Sequence, residues 1–288
     1  MHVLIAGVGW LGRAVAGACL ERGWRVTGAK RTRAGVDALE RSGIEVVVAD
    51  LADPAAIERL PQDIDIIVAC QAASGEGIDA YRAAYVDATR TLLEFALRRP
   101  VTGFVYTSST GVFGQSDGGD VDETTPIAPT APSSRILAEA ESLVLSAARD
   151  RGLRSMVVRL SGLYGPERYG TIDRVRRGVL ALGPGDETWM NFCHRDDAVA
   201  AILAALERGR PGAVYHASDG GPARRREVVT WISERLRIAP PVSPLDGSEA
   251  PAGRRGANRR ILSERTRQEL GLSLRYPTFR EGFEPCFR

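Results

Sequence analysis

Apolar positions along the chain follow two alternating rhythms. Short runs rich in β-branched residues recur at residues 3–6, 25–29, 45–49, 64–70, 103–107 and 155–160, and they predict buried strands. Between them the period lengthens. Residues 11–22 space Leu11, Val15, Ala18 and Cys19, and residues 81–97 space Tyr85, Ala88, Leu92 and Phe95, so that each set forms a stripe on one face of a helix. A further helix is expected at 138–149. Strand alternating with helix predicts a parallel sheet covered on both faces, with six β-α repeats filling roughly the first 160 residues. After Pro166 glycine, proline and arginine become frequent. Helices are expected again at 196–207 and 227–236 and a strand at 213–216, whereas 240–260, rich in Pro, Gly, Ser and Arg, reads as a mobile loop over a cleft. No internal repeat is visible.

Composition narrows the function. The chain has 288 residues, and of its 38 basic side chains only Lys30 is a lysine, so chemistry that needs an amine must use that one. Thirty-eight basic against 36 acidic groups leave +2, too even a balance for a broad nucleic-acid face, and a small-molecule substrate is the expected partner. Cys19, Cys70, Cys193 and Cys286 have neither metal-ligand nor CxxC spacing, which predicts reduced thiols and no metal site. No segment approaches the ~20 apolar residues that cross a bilayer, and the N-terminus lacks a charged leader region. A cytoplasmic protein with no membrane partner is expected.

The strongest local signal lies at the start. Gly7-Val8-Gly9-Trp10-Leu11-Gly12 is a G-x-G-x-x-G that leaves a predicted strand and opens a predicted helix. In that setting Gly7 permits the tight turn, Gly9 lets the backbone N–H groups of the Trp10 and Leu11 turn approach a pyrophosphate, and Gly12 lets the helix pack on the strand. The fold expected is therefore α/β: a Rossmann-type doubly wound parallel sheet over residues 1–165, with 190–217 returning to it, and a smaller C-terminal substrate lobe formed mainly by 166–288. About 20 residues after the first glycine, where an acid usually holds the ribose of NAD, stand Lys30, Arg31 and Arg33. Arginine presents a fork to a 2′-phosphate, so NADP(H) is favoured over NAD(H).

These and further segments resemble the extended short-chain dehydrogenase/reductases, the NAD(P)-dependent epimerase/dehydratases, over nearly the whole chain. Asp50-Leu51 looks like the pair that meets adenine in that family. Ile66–Cys70 with Gln71-Ala72-Ala73 is similar to the stretch that runs along the cofactor, and Ser109, in Thr107-Ser108-Ser109-Thr110-Gly111, matches the position of a catalytic Ser or Thr. Asp122-Glu123-Thr124-Thr125-Pro126, Arg159-Leu160 with Gly162-Leu163-Tyr164-Gly165-Pro166, and Asn191–Asp197 match further family segments. The family's Tyr-x-x-x-Lys is where the chain departs. Alignment on Ala140-Glu141 places Ser133 at the tyrosine and Leu137 at the lysine, and Lys30 is needed elsewhere. Without an adjacent amine a serine hydroxyl is a far poorer proton donor than a phenol of pKa ~10.

Ser109, Tyr164 and Ser133 are thus the candidate catalytic residues, and Arg135 and Arg255 the candidate substrate-binding ones, the latter beside Arg254, Arg259 and Arg260 in a loop suited to an anion. His194 is read as a capping or core residue, Glu123 as part of a turn, and Arg224-Arg225-Arg226 as a solvated run. Three functions remain open, the last being a non-redox use of the cleft with the nucleotide as a structural element. One is an oxidoreductase or epimerase/dehydratase-like enzyme with a non-standard acid, acting on a small oxygenated, anionic or nucleotide-linked substrate. Another is a non-catalytic NADP(H)-binding sensor. The resemblance also implies a homodimer through helices 81–97 and 138–149.

Overall fold

Seven parallel strands form the central sheet: β1 (His2–Ala6), β2 (Arg25–Lys30), β3 (Glu45–Val48), β4 (Ile66–Ala69), β5 (Gly103–Ser109), β6 (Ser155–Leu160) and β7 (Val214–Ala217). The computed structural model describes residues 1–73, 75, 77–243 and 257–287. Across the sheet the order is β7-β6-β5-β4-β1-β2-β3, every neighbouring pair being parallel. The order reverses between β1 and β4, and open sheets bind ligands at that point, outside the carboxyl ends of their strands.

Side chains alternate between the sheet's faces. Val3, Ile5, Val68, Val105 and Val158 fill one core cluster, and Leu4, Ala6, Ile67, Phe104 and Val157 fill another. Because both faces are covered, the strands read as nearly continuous apolar runs rather than half-polar ones. Four helices supply most of the cover: α1 (Trp10–Leu20), α2 (Ala88–Leu97), α3 (Pro132–Arg151) and α4 (Arg195–Arg208). Helices α1 and α4 pack on the first face, α2 and α3 on the second.

The strand expected at 213–216 is β7, which joins the sheet from residues 214–217 after the chain has left for the lobe. Two expectations need correction. The helix expected at 81–97 is not uniform: Ile78–Arg82 leads into a wide turn, Ala83–Asp87, with i→i+5 geometry before α2 begins. Residues 257–260, expected in a mobile loop, are tied down, because Arg260–Ile261 pairs in parallel with Asp120–Val121. Residues 240–243 of that loop are also described, and 244–256, including Arg254 and Arg255, lie outside the described residues.

The smaller lobe encloses its own core of Tyr164, Ile172, Phe192, Val228, Phe279 and Phe283. Its elements include α5 (Arg225–Leu236), the helices Gly170–Arg176 and Phe279–Phe283, and the paired strands Gly162–Tyr164 and Phe192–His194. One late segment goes back to the sheet, as Leu270, ending the helix Glu264–Leu270, is buried in the cluster beneath α1 and α4.

Candidate functional site

The glycine turn links β1 to α1 at the switch point, and its three glycines meet different constraints. Gly7 has φ 94°, a left-handed conformation, and a Cβ there would lie 2.6 Å from the Gln71 Cα in the loop after β4. At Gly12 a Cβ would overlap the Gly7 carbonyl oxygen. Gly9 is the opposite case: it is exposed, and a Cβ would meet nothing within 4 Å. The open space thus lies over Gly9, where the first amides of α1, at Trp10, Leu11 and Gly12, have no intrahelical partner. No acidic residue occupies the first turn of α1 to compete for them. This cradle fits a pyrophosphate.

Trp10 belongs to the turn by its backbone and to the lobe by its side chain. Its Nε1 donates to the Pro166 carbonyl at 2.8 Å, and the Arg168 and Arg195 guanidinium carbons lie 5.1 and 5.4 Å from the ring centroid. A cavity of about 610 Å³ opens beside it, lined by Gly9, Arg13, Lys30, Gly35 and Arg195 among others. Lys30 ends β2 and donates from Nζ to the Ala34 carbonyl, while Arg31 and Arg33 are exposed on the following turn. Asp50 is exposed and accepts from the Ala52 amide at 3.0 Å, whereas the Leu51 side chain is buried in the core. Ala72 is exposed on the loop after β4.

The candidate catalytic hydroxyls have different surroundings. Ser109 ends β5 half-buried, and its Oγ accepts from the Gly111 amide at 3.1 Å, which caps the short turn Thr110–Val112. Ser133 lies half-buried in the first turn of α3, with Arg135 exposed two residues on and Leu137 buried. Tyr164 is the correction. Its backbone sits just past β6 as expected, but the side chain turns into the lobe core, 2% exposed, with its ring 4.3 Å from Phe283 and 5.3 Å from His194. A Cβ on Gly282 would overlap its hydroxyl, which is buried without a hydrogen-bond partner, and burial pushes its ionisation far above the usual phenol range. Packed this way it does not face the cleft.

His194 caps α4. Its Nδ1 accepts from the Asp196 amide at 3.2 Å, and burial, the largest influence, pulls its pKa down to about 4. Glu123 accepts from the Thr266 amide and hydroxyl, at 3.2 and 2.5 Å. The Arg224-Arg225-Arg226 run is engaged rather than free: Arg226 pairs with Glu187 at 2.5 Å, Arg225 donates to the Ala181 carbonyl at 2.8 Å, and Arg224 covers the Trp189 ring at 3.7 Å.

Several contacts escaped the sequence reading. Arg159 and Glu141 form a buried ion pair, with Nη2 to Oε2 at 2.8 Å and Nε to Oε1 at 3.1 Å, and the guanidinium lies 4.9 Å from the Phe113 ring. Eighteen residues separate them, which no helical or strand spacing reports. Arg259, grouped with the arginines suited to an anion, is buried and donates to the Thr110 and Gln115 carbonyls at 3.2 and 2.9 Å. It therefore fixes the turn that follows Ser109. Tyr81 and Tyr85 flank the wide turn with ring centroids 4.5 Å apart. Burial, the largest influence, and Tyr81 push the Tyr85 phenol up to about 12, and the Ala73 backbone opposes the rise.

The sheet order, the switch point and the glycine cradle define an NAD-binding Rossmann protein. The chain belongs to the NAD dependent epimerase/dehydratase family, whose model matches residues 3–218. It is 32% identical over 285 residues to Protein YeeZ of Escherichia coli strain K12, covering 96% of each chain. To dTDP-glucose 4,6-dehydratase of Streptomyces antibioticus it is 29% identical over 206 residues, 67% of this chain and 59% of that enzyme. Among solved structures, a functionally unknown conserved protein from Silicibacter pomeroyi superposes with a TM-score of 0.77 at 26% identity, over 99% of this chain and 98% of the other. The dTDP-glucose 4,6-dehydratase of Bacillus anthracis in complex with NAD gives a TM-score of 0.82 at 24% identity, over 100% and 95%, and shares the fold. Among the described residues no helix is long and apolar enough to cross a membrane.

Proposed function

We propose that the protein is an oxidoreductase or epimerase/dehydratase-like enzyme that uses NADP(H) in preference to NAD(H). Its substrate on this reading is a small oxygenated compound, anionic or nucleotide-linked, of the nucleotide-sugar class that the relatives' names describe. The observation that carries the reading is the cradle over Gly9, open in front of the unpaired amides of α1 and continuous with a basic turn that has no acid from Gly28 to Arg33. Gly7, Gly9 and Gly12, with the backbone of Trp10 and Leu11, would hold the pyrophosphate. Lys30, Arg31 and Arg33 would face the 2′-phosphate, and Asp50, Leu51 and Ala72 would border the adenosine. The dinucleotide supplies two-electron chemistry. Ser109 would hydrogen-bond the substrate oxygen through its hydroxyl proton, its oxygen being held by Gly111, and Ser133 and Arg135 would meet the substrate from α3.

The same reading includes a homodimer through α2 and α3 and a cytoplasmic setting. Sedimentation or size-exclusion measurement tests the dimer. A second reading, a dinucleotide-binding sensor without catalysis, is favoured by one observation: the chain's one lysine is spent at the end of β2, and Leu137 is buried on α3.

Titration with NADPH and NADH, followed by thermal shift and fluorescence, tests the cofactor. NADPH is expected to bind at least tenfold more tightly, and Arg31→Asp to reverse the order by removing the fork and placing an acid on the ribose diol. Equal affinities would remove the preference for NADP(H), and no binding of either would remove the site.

A further inference from the structure

The resemblance places a serine where the family has its phenol, yet the fold brings two phenols to the same region from another helix. Resting on the dinucleotide reading above, we propose that Tyr85, backed by Tyr81, is the proton donor of this site, a position that α3 leaves without a phenol.

The placement follows from contacts that begin at the glycine turn. Gly7 lies against Gln71, so closely that a Cβ would come within 2.6 Å of the Gln71 Cα, and Ala73 follows two residues later on the same loop. The Ala73 backbone is among the groups that act on the Tyr85 phenol, which relates that phenol to the loop following β4. Tyr81 and Tyr85 also pack against Val112, Phe113, Val121, Leu137 and Ile261. Val112 ends the turn that Ser109 caps, and Leu137 lies one helical turn beyond Ser133. The phenol pair therefore adjoins the two elements that carry the candidate hydroxyls Ser109 and Ser133.

The backbone accounts for its exposure. Val86 and Ala88 are buried in the core, 0% and 3% exposed, while Tyr85, in the wide turn Ala83–Asp87, stays half-exposed. An inserted residue of this kind shifts the register of a helix face, and such turns recur at functional sites. Neither other phenol nearby offers the same access. Tyr106 is fully buried and Tyr164 is sealed against Gly282 and Phe283.

The chemistry has a direction. Burial first, and the neighbouring Tyr81 second, push the Tyr85 phenol up to about 12, so it is a weaker acid than a free phenol and stays protonated until a strongly basic oxygen forms beside it. With a reduced dinucleotide held in the cradle, the group would supply the hydride to a substrate carbonyl carbon while Tyr85 gives its proton to the carbonyl oxygen as the π pair moves there. The substrate would leave as an alcohol with the dinucleotide oxidised, and the Tyr85 phenolate would be reprotonated from solvent by way of Tyr81.

The test uses NADP⁺ alone as probe, with tyrosinate absorbance followed through an alkaline titration of the whole protein, free and bound. In wild type the positive nicotinamide is expected to lower one phenol's ionisation by about one pH unit, a tenfold effect. That transition should vanish in Tyr85→Phe and shift in Tyr81→Phe, while both variants keep their affinity for NADP⁺ within about threefold. Binding without such a transition, or the same transition in Tyr85→Phe, would overturn the assignment and leave the dinucleotide reading standing. Failure of wild type to bind either dinucleotide would overturn both. Because each variant keeps its ring, loss of fold is checked by an unchanged melting temperature, and a collapsed Tyr85→Phe would mark the residue as a packing element and count against the proposal.

Discussion

Gly9 and Gly12 stand three residues apart in one turn and answer to different demands. Gly12→Ala drives a methyl group into the Gly7 carbonyl oxygen, and since backbone cannot move aside there, a loss of about 2–4 kcal/mol is expected in urea unfolding. Gly9→Ala places its methyl in open space at an ordinary φ of −77°, so stability should change by less than about 0.5 kcal/mol. Its effect should instead appear as at least a tenfold loss of dinucleotide affinity, because the methyl occupies the cradle. Equal destabilisation by the two variants would contradict the division of labour. The motif was legible in sequence because strand, turn and helix are contiguous. Tyr164 was not: its place just past β6 could be read, but the direction of its side chain depends on Gly282 and Phe283, more than 100 residues away, offering a slot it fills.

At the scale of elements, α3 is fastened to β6 by the Arg159–Glu141 pair, whose side chains are 6% and 1% exposed. Both charges are desolvated, so removing one leaves the other uncompensated. Glu141→Gln is expected to cost about 3–5 kcal/mol in chemical denaturation, whereas the double replacement Glu141→Gln with Arg159→Met should recover much of that loss. A single variant within about 1 kcal/mol of wild type would show that the pair holds little. The residues appeared in the sequence reading only as neighbours of aligned motifs, Glu141 as an alignment marker and Arg159 as the start of a family segment. The wide turn at Ala83–Asp87 escaped for a related reason, since the apolar spacing from Tyr85 through Phe95 reads as an ordinary helical stripe.

For the whole molecule, acid sensitivity should centre on the junction of sheet and lobe. His194 caps α4 from the lobe side, its ring 3.7 Å from Tyr276, and burial lowers its pKa to about 4 from an ordinary value near 6.5. Between those values the unfolded chain binds a proton that the folded chain does not. Stability from this group is therefore complete above pH ~6.5 and declines as pH falls toward 4, by up to about 3 kcal/mol. His194→Asn keeps a capping acceptor without the titration, so its urea midpoint should fall less steeply over that window. Asp197 and Asp219, whose carboxyls burial raises, act in the opposite sense in both proteins and cancel in the comparison. Parallel pH profiles would show that His194 is not the group responsible.

The sequence by itself determined the doubly wound sheet and the glycine turn, because each is written in short-range periodicity or in contiguous residues. It also bounded the chemistry through Lys30, the chain's one lysine. Only the tertiary structure decided which side chains meet. Arg259 reaches the turn after Ser109 across 149 residues, Tyr164 is taken into the lobe, and Tyr81 and Tyr85 pack on the cluster that holds Val112 and Leu137. Such encounters depend on where the chain returns, and no local pattern of hydrophobic and polar residues records that.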